Sequence, residues 1–151
     1  MSAAVSLKGA SMDIAHVVQS SVAPVFLLTG VAATLSVLTN RLSRVVDRAR
    51  ALEERLEKEP ARRGALLADL RVLERRARYI NTAISMCAVA ALLVALVVVS
   101  LFADAFLGVE LAKAVALLFV AAMLCLSVAY IAFFVEIRLA IVALRIGIPH
   151  K

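Results

Sequence analysis

Val22-Ala-Pro-Val-Phe-Leu-Leu-Thr-Gly-Val-Ala-Ala-Thr-Leu-Ser-Val-Leu-Thr39 holds no charged residue and runs directly into Asn40-Arg41. A helix rises about 1.5 Å per residue and needs about 20 residues to cross a hydrocarbon core of about 30 Å, so this run predicts a membrane-crossing helix with a polar stop at its end. Two further runs, Ile80 to Ala103 and Ala114 to Val135, also lack any charge. Backbone polar groups in lipid must be satisfied within helices. The expected fold is therefore an all-α integral membrane protein: a single membrane domain over residues 1–151 with three transmembrane helices at about 22–39, 80–103 and 114–135.

Composition agrees with that count. The chain is 64% hydrophobic with a mean hydropathy of +0.98, whereas soluble domains are normally about 45–50% apolar. The net charge of +6 is unevenly placed: Arg41 to Tyr79 carries 12 basic and 7 acidic residues, a balance of +5. With that segment and the C-terminus on one side of the membrane, the basic residues divide 15 to 2, because only Lys8 and Lys113 fall on the other side. The positive-inside bias then places the N-terminus and the Asp104 to Lys113 loop outside, and the charged segment and C-terminus in the cytoplasm. No cleavable signal is evident, since Lys8 is a weak basic start and Asp13, His16 and Gln19 interrupt the approach to the first apolar run. The first span is expected to stay in the mature protein. Basic residues that flank spans and alternate with Glu do not make a nucleic-acid face.

The charged segment, 41–79, predicts an antiparallel helical hairpin. Leu42, Val45, Ala49, Leu52 and Leu56 recur at steps of three and four on its first arm, and Leu66, Leu70, Leu73, Ala77 and Ile80 on its second. Glu59, Pro60 and Gly64 mark the break between them. Pairing Leu42 with Ile80, Val45 with Ala77, Ala49 with Leu73, Leu52 with Leu70 and Leu56 with Leu66 gives a constant sum of 122. An antiparallel, coiled-coil-like register requires such a constant. The register continues inward, with Asn40 beside Thr82 and Leu35 beside Cys87, and no Pro or Gly lies between Val31 and Glu59. The hairpin is thus expected to be continuous with the first two spans, its arms projecting roughly 25 Å from the bilayer.

Charge is graded along the hairpin. Arg41, Arg44, Arg48, Arg75, Arg76 and Arg78 lie at the root, while Glu53, Glu54, Glu57 and Glu59 gather towards the tip among Arg55, Lys58, Arg62 and Arg63. Each root arginine near an anionic leaflet contributes about 1 kcal/mol, so these six are expected to contact lipid headgroups. The tip is either a solvated helix end, supported by pairs such as Glu54 with Lys58 and Glu74 with Arg78, or a docking site for a cytoplasmic partner or a neighbouring subunit.

Polar residues within and beside the spans are the candidate functional positions. Thr29, Ala33, Ser36 and Asn40 share one stripe of the first helix. Small residues and hydroxyls at such spacing serve helix packing, at about 0.6 kcal/mol per hydrogen bond, or line a hydrated path when several copies surround it. Glu136 follows the third span and needs a partner, for which Arg41, Arg44 and Arg78 are the candidates. That pairing is either a structural clamp holding the third helix to the hairpin root or part of a gate or proton relay. Residues 136–146 predict a C-terminal helix that lies along the inner interface or packs on the arms, with Arg138 and Arg145 on one face and Leu139, Val142 and Ile146 on the other, ended by Gly147 and Pro149.

Catalytic patterns are absent. His16 and His150 fall on opposite expected sides of the membrane, no His, Cys or carboxylate cluster has metal-ligand spacing, and Cys87 and Cys125 differ in depth. There is no Gly-rich phosphate loop and no Ser or Cys nucleophile with a His in local reach. No enzyme activity, metal, cofactor or disulfide is expected.

Three motifs carry a resemblance: Val22-Ala-Pro-Val-Phe-Leu-Leu-Thr-Gly30; Leu38-Thr-Asn-Arg-Leu-Ser-Arg-Val-Val-Asp-Arg-Ala-Arg50; and Arg75-Arg-Ala-Arg-Tyr-Ile-Asn-Thr-Ala-Ile84. An Asn-Arg pair leaving one span, combined with an Arg-rich approach to an Asn entering the next, resembles the bacterial membrane family of domain of unknown function twenty-seven twenty-one, over about Ile14 to Ile146. The resemblance implies a bacterial inner-membrane location and assigns no activity or catalytic residue.

Two functions fit these expectations. One is a homo-oligomeric scaffold or regulatory subunit presenting the charged hairpin to the cytoplasm. The other is a homo-oligomeric channel for ions or small solutes lined by Thr29, Ser36 and Asn40. Three spans are too few to enclose a hydrated path alone, so both require self-association.

Overall fold

The computed structural model describes the backbone of residues 2–107 and 111–145, and the side chains of residues 18–104, 106 and 111–141. Three helices account for nearly all of it: α1 over Ser2–Lys58, α2 over Arg63–Leu107 and α3 over Ala112–Arg145, with a short 3-10 turn at Pro60–Arg62. No strand occurs among the described residues. Each of the three helices holds a stretch long and apolar enough to cross a membrane, with mean hydropathy 2.0, 2.9 and 2.6 in α1, α2 and α3. Only 17%, 22% and 17% of those stretches is buried within the chain. Large apolar side chains such as Phe26, Leu92, Leu117 and Phe134 point outwards, which is stable only where lipid is the solvent. This is a membrane protein.

The break between α1 and α2 is local chemistry. Glu59 leaves helical geometry at φ −125° and ψ 71°, as expected of a residue preceding proline, and Pro60 opens the 3-10 turn. Glu59 N–H still donates to the Arg55 carbonyl at 2.9 Å, and Arg62 N–H donates to the Glu59 carbonyl at 3.1 Å. Gly64, expected in the break, instead lies inside α2, and nothing within 4 Å would meet a Cβ there. Pro24 sits within α1 without ending it; membrane helices tolerate such prolines where neighbours satisfy the freed carbonyl.

α3 corrects the expectation of a span followed by a separate helix over 136–146. It is one helix from Ala112 through Arg145. No Pro or Gly interrupts those residues, and Glu136 continues the buried face that Ala122, Leu126, Ala129 and Ala132 begin, so nothing turns the chain at the end of the apolar run. The positions named for Ile146, Gly147, Pro149 and His150, and the side chains of His16, Val142 and Arg145, lie outside the described residues.

The chain divides into two compact units, residues 1–33 with 88–125 and residues 34–87 with 126–151. In the first, Val31, Ala90, Val94, Val97 and Ala122 are buried; alanines at such positions let helix backbones approach closely in lipid. Asp104 Oδ1 accepts from Leu111 N–H at 3.0 Å, joining the last turn of α2 to the residue before α3.

The second unit contains the charged arms. All ten residues of the two expected apolar stripes are buried or half-buried, with Val45 and Leu73 each 5% exposed and Ile80 fully enclosed. Val45, Ala49 and Glu53 of α1 line the same groove as Leu67, Leu70 and Ala77 of α2, so the arms meet along their apolar faces. Leu38, Ala83, Cys87, Leu126, Ala129 and Ala132 extend that core away from the arms.

Candidate functional site

The buried residues of α2 repeat strictly. Leu73, Ile80, Ala83, Cys87, Ala90, Val94 and Val97 are all enclosed, and a seven-residue apolar repeat of alternating three and four steps also requires a core residue between Leu73 and Ile80. That residue is Arg76. On α1, Leu38 and Val45 are buried, and the step between them is filled by Arg41. On α3 the corresponding charged residue is Glu136, which is 0% exposed. Three charged side chains therefore occupy core positions of three different helices at one level.

They satisfy one another. Arg76 donates to Glu136 Oε1 through Nη2 at 2.8 Å and Nε at 3.2 Å. Arg41 Nη2 lies 3.3 Å from Glu136 Oε2, but Oε2 receives no hydrogen bond. Arg41 is thus an electrostatic neighbour of the carboxylate and Arg76 its hydrogen-bonding partner. Arg41 divides its contacts, because its guanidinium also lies over the Phe133 ring at 5.2 Å from the centroid. Its side chain is 28% exposed, against 17% for Arg76. A buried carboxylate at the end of an apolar span is costly unless paired, and two guanidiniums meet that requirement here.

Two expected partners are placed elsewhere. Arg44 Nε donates to the backbone carbonyl of Asn40 at 3.4 Å, and Arg78 pairs with Glu74 at 3.1 Å on the exposed face of α2. Neither contacts Glu136. Arg78 follows Arg76 by two residues, which on a helix places it on another face. Arg76, expected among the headgroup contacts with Arg75, forms part of the ion cluster. At the tip, Glu54 and Lys58 do not come within ion-pair distance; the pair formed there is Arg62 with Glu59, at 4.0 Å.

Beside the cluster lies an open cavity of about 510 Å³ whose lining includes Arg41, Arg44, Arg48 and Arg76 together with Val37, Val45 and Leu73. Arg48 has no ion-pair or hydrogen-bond partner among the described residues, and Arg44 has only its own helix carbonyl. Arg75 and Arg78 line a separate recess with Glu74, Tyr79 and Thr82. The six root arginines thus divide between two faces.

The stripe on α1 faces outwards. Thr29 and Ala33 in the first unit are exposed, and so are Ser36 and Asn40 in the second. Thr29 Oγ1 donates back to the Val25 carbonyl at 3.3 Å, whereas the side chains of Ser36 and Asn40 have no partner among the described residues. Besides the ion cluster, a hydroxyl contact joins helices within the second unit: the Thr34 and Tyr130 hydroxyls are 3.3 Å apart. Cys87 and Cys125 are free thiols. Among the described residues no three His, Cys, Asp or Glu side chains come together to hold a metal ion.

The family described as protein of unknown function (DUF2721) matches residues 21–146, which take in the cluster, the groove and the stripe. No curated protein and no solved structure matches the chain.

Proposed function

We propose, for a chain that belongs to the DUF2721 family of proteins of unknown function, a homo-oligomeric scaffold or regulatory subunit of the bacterial inner membrane, with its N-terminus outside and its paired arms presented to the cytoplasm. The observation that carries this proposal is the junction of Glu136 with Arg41 and Arg76. It ties α3 to both arms at their root, and a hairpin held at its base can offer a fixed charged tip to a partner. The tip is fully exposed from Glu53 to Ala65 apart from Leu56, which suits recognition by a protein of complementary charge.

A channel is the alternative, favoured by the outward position of Thr29, Ala33, Ser36 and Asn40. Thr29 borders an open, mostly apolar recess with Val25, Phe26, Val98 and Phe102, which is no hydrated path. The four residues could line a path only between copies, where hydroxyls and amides replace part of a solute's hydration.

The mass of the purified protein in detergent tests self-association first, and a monomer removes both assemblies. Photo-crosslinkers placed at Glu57 and Arg62 in cells then test the tip: a discrete crosslinked product supports the scaffold, and none argues against it. Ion flux in liposomes, abolished by Ser36→Leu with Asn40→Leu, would replace the scaffold with the channel.

A further inference from the structure

We propose that the groove between Arg41, Arg44, Arg48 and Arg76 is a binding site for the phosphate of one anionic phospholipid. The proposal rests on the position of the hairpin root at the cytoplasmic membrane surface, as given above, and on neither oligomerisation nor the tip.

Four guanidiniums line this groove, and Glu136, beside it, turns Oε1 to Arg76 and Oε2 towards Arg41. No carboxylate is part of the lining itself. Arg44 and Arg48 lie four residues apart on one face of α1, and neither has an acidic partner among the described residues. Guanidiniums are matched in shape to phosphate oxygens, which they bind through paired N–H donors.

The apolar part of the lining separates a lipid from a soluble anion. Val37, Val45 and Leu73 form the remaining wall, and Val37 belongs to the uncharged run that crosses the bilayer. Val37 lies one turn before Arg41 on the span side, so the groove's arginines follow directly on the apolar run, where a phospholipid changes from headgroup to acyl chain. Basic pockets between helices on the cytoplasmic side are suited to anionic headgroups. The volume of about 510 Å³ lies within the range of about 300–1,000 Å³ typical of ligand sites.

The test uses the delipidated full chain in detergent, titrated with phosphatidylglycerol, phosphatidylcholine or inorganic phosphate and read by native mass spectrometry. One phosphatidylglycerol per chain is expected to be retained in preference to phosphatidylcholine. Arg44→Gln with Arg48→Gln should weaken it about thirtyfold, at about fivefold per arginine. Arg75→Gln with Arg78→Gln removes the same charge from the other recess and should change binding by less than about threefold, because that recess holds none of the groove. Arg44→Lys with Arg48→Lys preserves charge and covers the case in which the first variant fails to fold; it should still weaken binding severalfold, because an ammonium cannot fork phosphate oxygens.

Equal loss in the Arg75 and Arg78 variant, equal retention of phosphatidylcholine, or unchanged binding by the lysine variant overturns the proposal. Displacement of the lipid by inorganic phosphate at equal concentration assigns the groove to a free anion and overturns the lipid. Because binding is read in detergent, a hairpin found on the outer face of the cell would defeat the proposed topology and leave this result standing on its own.

Discussion

Arg76 Nη2 lies 2.8 Å from Oε1 of Glu136, a residue 60 positions later in the chain. The contact ties the root of α2 to α3 and supplies the hydrogen bonds to one oxygen of a fully enclosed carboxylate. Arg76→Met strands that carboxylate and is expected to cost about 3–5 kcal/mol. Glu136→Leu leaves two guanidiniums that still touch solvent, so it should cost less. The double variant should be more stable than Arg76→Met alone, and Arg41→Met the mildest single change, because Oε2 accepts no hydrogen bond from it. Thermal unfolding of the four variants in detergent tests this order. A double variant less stable than Arg76→Met would remove the pairing from the account.

The arms supply a second contrast. Leu73 is 5% exposed and Leu67 is 39% exposed on the same helix. Leu73→Ala should destabilise by about 2–4 kcal/mol, through lost burial and a residual cavity, whereas Leu67→Ala should stay within about 1 kcal/mol. Equal effects in urea or heat would mean that the arms do not pack along the face containing Leu73.

Tyr130→Phe removes the hydroxyl that faces Thr34 across helices at 3.3 Å. Hydrogen bonds between membrane helices are worth about 0.6 kcal/mol on average, so the variant should lose less than about 1 kcal/mol. A loss of several kcal/mol would show that this hydroxyl organises much more of the unit than its partner suggests.

Topology can be read from one engineered thiol. Ala61 is exposed in the turn between the arms, and a membrane-impermeant maleimide should label Ala61→Cys only after the cells are opened. Cys87 is buried and should stay unlabelled in both cases. Labelling of intact cells would reverse the proposed orientation.

The spans were legible because excluding charge from a long run is a severe constraint that few soluble segments meet. The hairpin break was legible for a different reason: Glu59 and Pro60 act through local geometry that needs no tertiary knowledge. Gly64 misled because glycine is tolerated inside a helix when its neighbours hold the conformation. Arg76 was missed as Glu136's partner because a cluster of root arginines reads as a headgroup belt unless each is phased against the apolar repeat. The signal was present: Leu73, Ile80, Ala83 and Cys87 set the phase, and among Arg75, Arg76 and Arg78 only Arg76 falls on it. The end of α3 was misplaced because Glu136 reads as the end of a span, whereas a charge with partners waiting at its own depth does not stop a helix.

The α1 arm from Asn40 to Lys58 is unbroken helix, and at about 1.5 Å per residue it is about 27 Å long. With its base at the bilayer surface, as proposed, it would work as a stiff pointer. A lean of about 10° at its base, small within the spread of tilts that membrane helices adopt, sweeps its far end sideways by about 5 Å. In the orientation proposed above, changes in bilayer thickness or composition would register in the cytoplasm as displacement of the tip, without any helix having to unwind.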